Sequence, residues 1–447
     1  MFFMWTAVSS LTSENSLSNM RFLDSLRSLG MTISAVVSIL LLAGCCNCVY
    51  TVTVTNPTDA DRHPEMVELD FQDLGLAKGE SFIVKNESGD EIPYQITQDG
   101  KVLFLVETVK AKSTASFNFK KGTPAPVQTV ACGKEYTTID GKPIDVAWEN
   151  DHVGFRLYSD NPEAVNVVGY DLFAKRGTTE PVLDSFYAKN TKGTPAWDKY
   201  YELLATEGNE AATRYKVDSL SFHVDRGYGL DCYQVGPTLG AGVAALVEDG
   251  RIIYPDGYVG HEVIENGPLR FQTKLTVAPR QVGKDSSIVE TRIITLDAGS
   301  NLNRTNVHYQ LVTLDKEGKT KSENITNSEI ITGIVLHEKG GDSFQTGSYI
   351  SYAAPTQVIV TEAVEIINGN ENGTLYVGHV YPKEVKNTAN SEGHILTINE
   401  YDPETGFEYY WGFGWDKAGV ESHEQWNEYL ETYASMVRNP LTITSNN

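Results

Sequence analysis

"ESFIVKNESGDEIPYQITQDGKVLFLVETVKAKSTASFNFKKG" runs from Glu80 to Gly122. It holds four short runs of strand-forming residues, split at Glu87 to Asp90, at Asp99-Gly100 and at Lys110 to Ser113. The first two splits are turn chemistry and the third is a polar break. Upstream, "YTVTVTNPT" (Tyr50 to Thr58) alternates apolar and threonine positions, the two-residue period of a strand. Downstream, "GTPAPVQ" (Gly122 to Gln128) is proline-rich and reads as a linker. Residues 50–128 therefore predict a small N-terminal β-sandwich subdomain, with a boundary near 128.

Strands continue beyond it. "HVGFRLY", "GVAALVEDG", "LRFQTKLTV", "SSIVETRIITL", "NVHYQLVTL", "SEIITGIVLH", "TQVIVTEAVEIING", "GTLYVGHVY" and "EGHILTINEY" are short runs, most of them flanked by Gly, Asp or Asn, and "INGNENGT" reads as a hairpin tip. So many short strands with few helices between them predict an all-β, antiparallel sandwich over residues 129–447 rather than βαβ units. Two segments depart from the pattern. Ala196 to Tyr215 is helix-like and reads as an insertion. Residues 422–437 read as a stronger helix: Ser422 can cap it, the first turn is acidic, Trp426, Tyr429, Leu430 and Tyr433 form one stripe, and Pro440 follows its end.

The first 44 residues are not read as part of that fold. Arg21 and Arg27 precede an apolar run from Met31 to Gly44, too short for a bilayer span, which needs roughly 20 residues. Leu42-Ala43-Gly44-Cys45 resembles a lipobox, so cleavage before Cys45 and lipidation of that residue are expected, with Met20 as initiator. Acyl chains there would hold the mature protein on the outer membrane, facing the periplasm or the cell surface. The net charge of −23 argues against nucleic acid as a partner. Cys46 and Cys48 sit beside the anchor. Cys132 and Cys232 could pair in an oxidising compartment. No zinc-ligand spacing occurs in the body, and neither metal nor cofactor is expected.

Several blocks carry a family resemblance. "VTNPTDADRHPEMVEL" followed by "DEIPYQ" resembles the accessory β-domain opening of many bacterial carbohydrate-active proteins. "WENDHVGFRLY", "FHVDRGYGLDCYQVGPTLGAG", "ENGPLRFQTKL" and "YYWGFGWDKAG", in this order, resemble the domain of unknown function family 4861, over roughly residues 50 to 442. The resemblance implies a galactose-mutarotase-like β-supersandwich and a setting among polysaccharide-utilisation genes. It transfers no reaction.

Candidate site residues come from the same blocks. In an extended "FHVDRGYGLDCY", His223 and Asp225 would share one face, and Asp231 and Tyr233 would join them after a turn at Gly227 and Gly229. A histidine beside a carboxylate suits general base catalysis, though a hydrogen-bonded turn explains the same residues. In "DHVGFRLY", alternation puts His152, Arg156 and Tyr158 on one polar face, where Arg156 could clamp a uronate carboxylate or form a salt bridge. Arg270 in "ENGPLR", beside Glu265 and Asn266, is a weaker cation. Trp411 and Trp415, separated by glycines, could offer ring faces to a sugar, with Tyr409 and Lys417 nearby, or could fill a core. His337 is a further acid or base. A carboxylate pair drawn from Asp225, Asp231 and Glu149 could hydrolyse a glycoside. No nucleophile elbow or phosphate loop is present.

The expected function is action on polysaccharide-derived, uronate-containing oligosaccharides, by lyase or hydrolase cleavage or by epimerisation. The alternative is a carbohydrate-binding lipoprotein without catalysis.

Overall fold

The computed structural model describes residues 50–446 apart from 75, 77–78, 137, 140–141, 162–166, 178–179, 327, 338–340 and 356–371. The expected signal region, the Cys45 lipidation site and most of the "TQVIVTEAVEIINGNEN" stretch lie outside the described residues.

The N-terminal subdomain is two small sheets face to face. Lys101–Val106 lies between Glu65–Asp70 and Tyr94–Ile96 in one sheet. The other runs in the order Thr442–Asn446, Tyr50–Thr55, Thr114–Lys121, Phe82–Lys85, Glu91–Ile92. Val52, Val54, Phe82, Val84, Val102, Phe104 and Phe119 fill the space between them, one side of each alternating strand. The last strand of this sheet comes from the far end of the sequence. Thr442 pairs with Thr55 and Asn446 with Thr51, so the subdomain is closed by a segment outside the expected 50–128 boundary.

The main body packs a ten-stranded antiparallel sheet against two five-stranded ones. In the large sheet Ser286–Asp297, Leu302–Leu314, Phe407–Trp415 and Thr374–Val380 are neighbours. One smaller sheet runs Gly229–Asp231, Asp171–Lys175, Val153–Tyr158, Asp145–Glu149, Cys132–Glu135. The other is centred on Glu329–Val335. A single core draws on all three, with Trp148, Phe155, Leu172, Phe271, Ile294, Ile334 and Trp411 among its members. This is the all-β antiparallel supersandwich expected, with its N-terminal subdomain and C-terminal helix.

That helix, His423–Arg438, lies on the outer face of the large sheet. Ser422 Oγ accepts the Gln425 N–H at 3.1 Å, the cap read from the sequence. Trp426 and Leu430 are buried against Leu302, Tyr376 and Val380. The helix comes so close that a Cβ on Gly378 would sit 2.5 Å from Leu430, and one on Gly414 3.1 Å from Trp426 and 2.5 Å from Val420 in the loop before the helix. The expected helical insertion is longer than the sequence suggested. Pro195–Thr206 and Asn209–Tyr215 are separated at Gly208, whose φ of 91° suits glycine, and a further helix, Leu183–Asn190, precedes them. Its start has no local cap. Glu149, on a neighbouring strand, accepts the N–H groups of Val182 and Leu183 at 2.9 and 2.8 Å. The capping residue is supplied across the fold, so the local sequence carries no signal of it. Cys132 and Cys232 are both free thiols, with Cys232 buried.

Candidate functional site

The strand Val153–Tyr158 alternates as expected. Val153, Phe155 and Leu157 enter the main core, and Arg156 and Tyr158 point to the other side. That other side is not open. Leu183, Phe186, Tyr187 and Phe222 pack over Ala147 and Phe173, so the insertion roofs the polar face of the sheet. Under the roof Arg156 is 8% exposed. Its Nε bonds Asp171 at 2.9 Å and its Nη2 bonds Asp231 at 2.8 Å and Asp171 as well. The guanidinium lies over the rings of Tyr158 and Phe173, at 4.9 and 4.8 Å. The expected uronate clamp is corrected: two internal carboxylates already hold Arg156, because a buried cation without partners would be far more costly. Burial, with Asp231 beside it, pushes the Asp171 carboxyl up to about 6 against the opposing pull of Arg156.

The "FHVDRGYGLDCY" stretch is strand only at Gly229–Asp231. Gly227 and Gly229 have φ of 96° and 120°, and a Cβ on Gly229 would lie 1.9 Å from the Ala174 carbonyl oxygen. The preceding residues loop away, so the expected polar face of four residues does not form. His223 Nδ1 lies 2.9 Å from the Asp231 carbonyl oxygen, not beside Asp225, and burial lowers its pKa to about 4. Asp225 instead accepts the Gly227 and Gly229 N–H groups at 2.8 and 3.1 Å and the Arg176 Nε at 2.6 Å. Burial works to raise the Asp225 carboxyl, but Arg176 and the two N–H groups hold it below its usual range. Tyr233 is 2% exposed, packed edge-on against His337 at 5.0 Å. His337 itself is held by the Gln234 carbonyl at 2.8 Å. Neither faces a cleft.

The tryptophans are core residues. Phe407–Trp415 is a central strand of the large sheet. Trp411 stacks on Tyr170 at 3.8 Å and 3° and donates to Thr305 at 2.8 Å. Trp415 is 1% exposed. Gly412 and Gly414 do not expose the rings; they let the Asn301 backbone and the C-terminal helix approach the opposite side of the strand. Tyr409 donates to the Gly242 carbonyl at 2.9 Å. Lys417 is exposed in the turn that follows. Arg270 is buried between Asp297, at 2.5 and 2.7 Å, and Glu68, at 2.7 Å, joining the subdomain to the large sheet. Glu265 serves the same junction through Gln95 and the Gln98 N–H, at 3.0 and 2.6 Å, and Asn266 accepts the Gly133 N–H at 3.1 Å. Glu149 is fully buried against Lys175, 2.6 Å away.

His152 faces open space. It sits in the turn before Val153, roughly 13 Å along the chain from Arg156 at strand rise. It lines a cleft of about 540 Å³ with Asp151, Trp415, Asn301, Gln425, Glu428, Tyr429 and His63. The walls come from distant parts of the sequence. Arg62 donates to the carbonyls of Asn439 and Met436, at 2.7 and 3.2 Å, and so ties the subdomain loop to the end of the C-terminal helix. This tie sets the His63 ring on Tyr429, at 4.7 Å. Burial lowers the His63 pKa, which keeps that ring neutral. Asn301 joins the opposite wall. Its amide N–H donates to the Phe413 carbonyl at 2.8 Å, which turns its Oδ1 to His152 Nδ1 at 3.1 Å. An oxygen acceptor there requires the proton on Nδ1, so the neutral ring presents the lone pair of Nε2. Asp151 Oδ2 lies 3.8 Å from that nitrogen, and its other oxygen accepts the Gly299 N–H at 2.8 Å.

His152 and Trp415, both candidates from the sequence, line this cleft, and so do His63, Asn301 and Tyr429, which were not among the candidates. Tyr429 was legible only as part of a helix stripe. His63 and Asn301 reach the cleft through contacts more than a hundred residues apart, and no local pattern marks them.

Comparisons with known proteins follow from this architecture. An uncharacterised protein P7 of Formosa agariphila is 23% identical over 423 residues, covering 88% of this chain and 92% of that protein. Among solved structures, an alpha-mannosidase from Enterococcus faecalis V583 matches 89% of this chain at 9% identity and a TM-score of 0.41. A glycosyl hydrolase family 38 protein from Enterococcus faecalis matches the same share at 8% identity and 0.39. The chain spans under half the length of each, 46% and 47%. The family model for a domain of unknown function, DUF4861, matches residues 54–443, and the chain belongs to that family.

Proposed function

We propose that the protein is an outer-membrane lipoprotein, held through Cys45 and facing the periplasm or the cell surface. It takes polysaccharide-derived oligosaccharides, uronate-bearing ones included, into the cleft at His152. Glycosidic cleavage by elimination or hydrolysis, and epimerisation, all need a proton moved at a fixed point. The observation that carries the reading is the orientation of His152 by Asn301, which leaves the Nε2 lone pair toward the cleft with the Asp151 carboxylate 3.8 Å from it. The cleft volume and its mixture of rings and hydrogen-bonding groups suit a small polar ligand.

The test is incubation of the full chain with a panel of glycans and unsaturated oligosaccharides, read by enol-ether absorbance and product chromatography. His152→Ala should abolish turnover and retain ligand. A panel in which nothing is bound or altered removes the reading. Cys45→Ser should move the protein from the membrane fraction to the soluble one.

A second reading, binding without catalysis, is favoured by one observation. Arg156, Asp231 and Tyr233, expected to be catalytic, are buried away from the cleft. Ligand binding with no turnover, in wild type and His152→Ala alike, would select it.

A further inference from the structure

Arg176 adjoins the same cleft through the residues on either side of it. Its chain neighbours Lys175 and Gly177 line the cleft, as does Trp415, and the Arg176 guanidinium lies over the Trp415 ring at 5.2 Å. The side chain is 36% exposed, unlike Arg156 and Arg270. Its Nε donates to Asp225 Oδ2 at 2.6 Å and its Nη2 pairs with the same oxygen. Asp225 is itself fixed by the Gly227 and Gly229 N–H groups, through its other oxygen. The two glycines thus set a carboxylate, the carboxylate sets a guanidinium, and the guanidinium lies over the Trp415 ring. Among the described residues no acceptor is bonded to Nη1. Lys175 cannot take that role, because it is wholly buried against Glu149. The carboxylates of the cleft, Asp151 and Glu428, lie with His152 and Tyr429.

We infer that Arg176, held by Asp225 and lying over the Trp415 ring, is the residue that reads an anionic substituent, a carboxylate or a sulfate ester, on the glycan entering the cleft. A guanidinium held on one edge offers its remaining N–H groups in a fixed plane, the arrangement that suits oxyanion recognition. The inference rests on the glycan reading of the cleft and gives the turn at Phe222 to Tyr233 a positioning role: Asp225 acts through Arg176.

The experiment applies the full chain to an array of neutral, uronate-bearing and sulfate-bearing oligosaccharides, with affinities of the hits measured by calorimetry. Arg176→Gln should weaken binding of acidic members by about tenfold or more and leave neutral members within about twofold. Arg176→Lys should recover part of the acidic affinity, and Asp225→Asn should lower the acid preference with Arg176 still present. Whether the uronate or the sulfate arm responds identifies the substituent. If Arg176→Gln weakens neutral and acidic members equally, or leaves the acidic ones unchanged, Arg176 is structural and the inference fails while the glycan reading stands. If no member binds the wild-type chain, both fall. Melting temperatures of the variants separate a folding defect from a lost contact.

Discussion

Arg156 Nη2 stands 2.8 Å from Asp231 Oδ2, on a sheet face closed over by the helical insertion. Asp171 shares the same guanidinium. Arg156→Leu would leave two buried carboxylates facing each other, and the expected loss is about 3–5 kcal/mol of stability. Replacing all three groups together by apolar residues of similar volume should cost much less. Urea denaturation of the single and triple variants checks this; equal losses would mean that the three groups do not act as one unit.

The same centre predicts a pH signature. The folded His223 has a pKa of about 4 against an ordinary 6.5. Below pH 6.5 the unfolded chain binds a proton that the folded chain refuses, so this residue costs stability as pH falls toward 4. Asp171 runs the other way. Its folded carboxyl, at about 6 against an ordinary 3.8, keeps a proton the unfolded chain releases, so acidification from 6 to 4 restores stability. In the wild type the two slopes oppose each other. His223→Gln removes the first, and the variant should gain on the wild type by up to about 3 kcal/mol as pH drops from 6.5 to 4. Urea titrations across that range measure the gap; one that does not change with pH would contradict the assignment.

Gly412 is where the cleft meets the large sheet. A Cβ there would lie 2.0 Å from the Asn301 carbonyl oxygen. Gly412→Ala should therefore displace Asn301 and cost about 1–3 kcal/mol, as overpacking does. Asn301 holds His152, so the variant should also lose the Nδ1–H tautomer preference, visible in the ¹⁵N shifts of the imidazole. An unchanged His152 spectrum in a destabilised Gly412→Ala protein would show that Asn301 does not orient it.

The strand Thr442–Asn446 pairs residue by residue with Tyr50–Thr55. A chain ending at Leu441 should keep the main body and loosen the N-terminal subdomain. Limited proteolysis should then cut near the turns at Glu87 to Asp90 and Asp99-Gly100 well before it cuts the supersandwich. Cleavage spread evenly over both regions would show that the subdomain does not depend on this strand.

The strands were legible because alternation is local: Val153, Phe155 and Leu157 enter the core as their period requires. The C-terminal helix was legible because its cap and its stripe are local too. The site was less so. The alternation correctly separated Arg156 from Phe155, but it assigned Arg156 to a polar face without revealing that Phe186 and Tyr187 cover that face. The aromatic-glycine run had two readings, and packing decided for the core, because Trp426 and Val420 come to rest against Gly414. Asp225 was picked out as the partner of His223 and is the partner of Arg176, because Phe222 to Val224 form a turn and not the extended strand on which that pairing depended.

The closing strand also sets an order of events. Tyr50–Thr55 is made early, yet one of its two hydrogen-bonding edges has no neighbour until Thr442–Asn446 has left the ribosome. The entropy of closing so long a loop grows only slowly with its length, so the finished pairing is affordable. The waiting is the vulnerable part. During it, a strand of alternating Val and Thr offers a bare edge of the kind that recruits other chains. The N-terminal subdomain is begun before the supersandwich and completed only after it, so its Tyr50–Thr55 edge stays open to other chains until Thr442–Asn446 pairs with it.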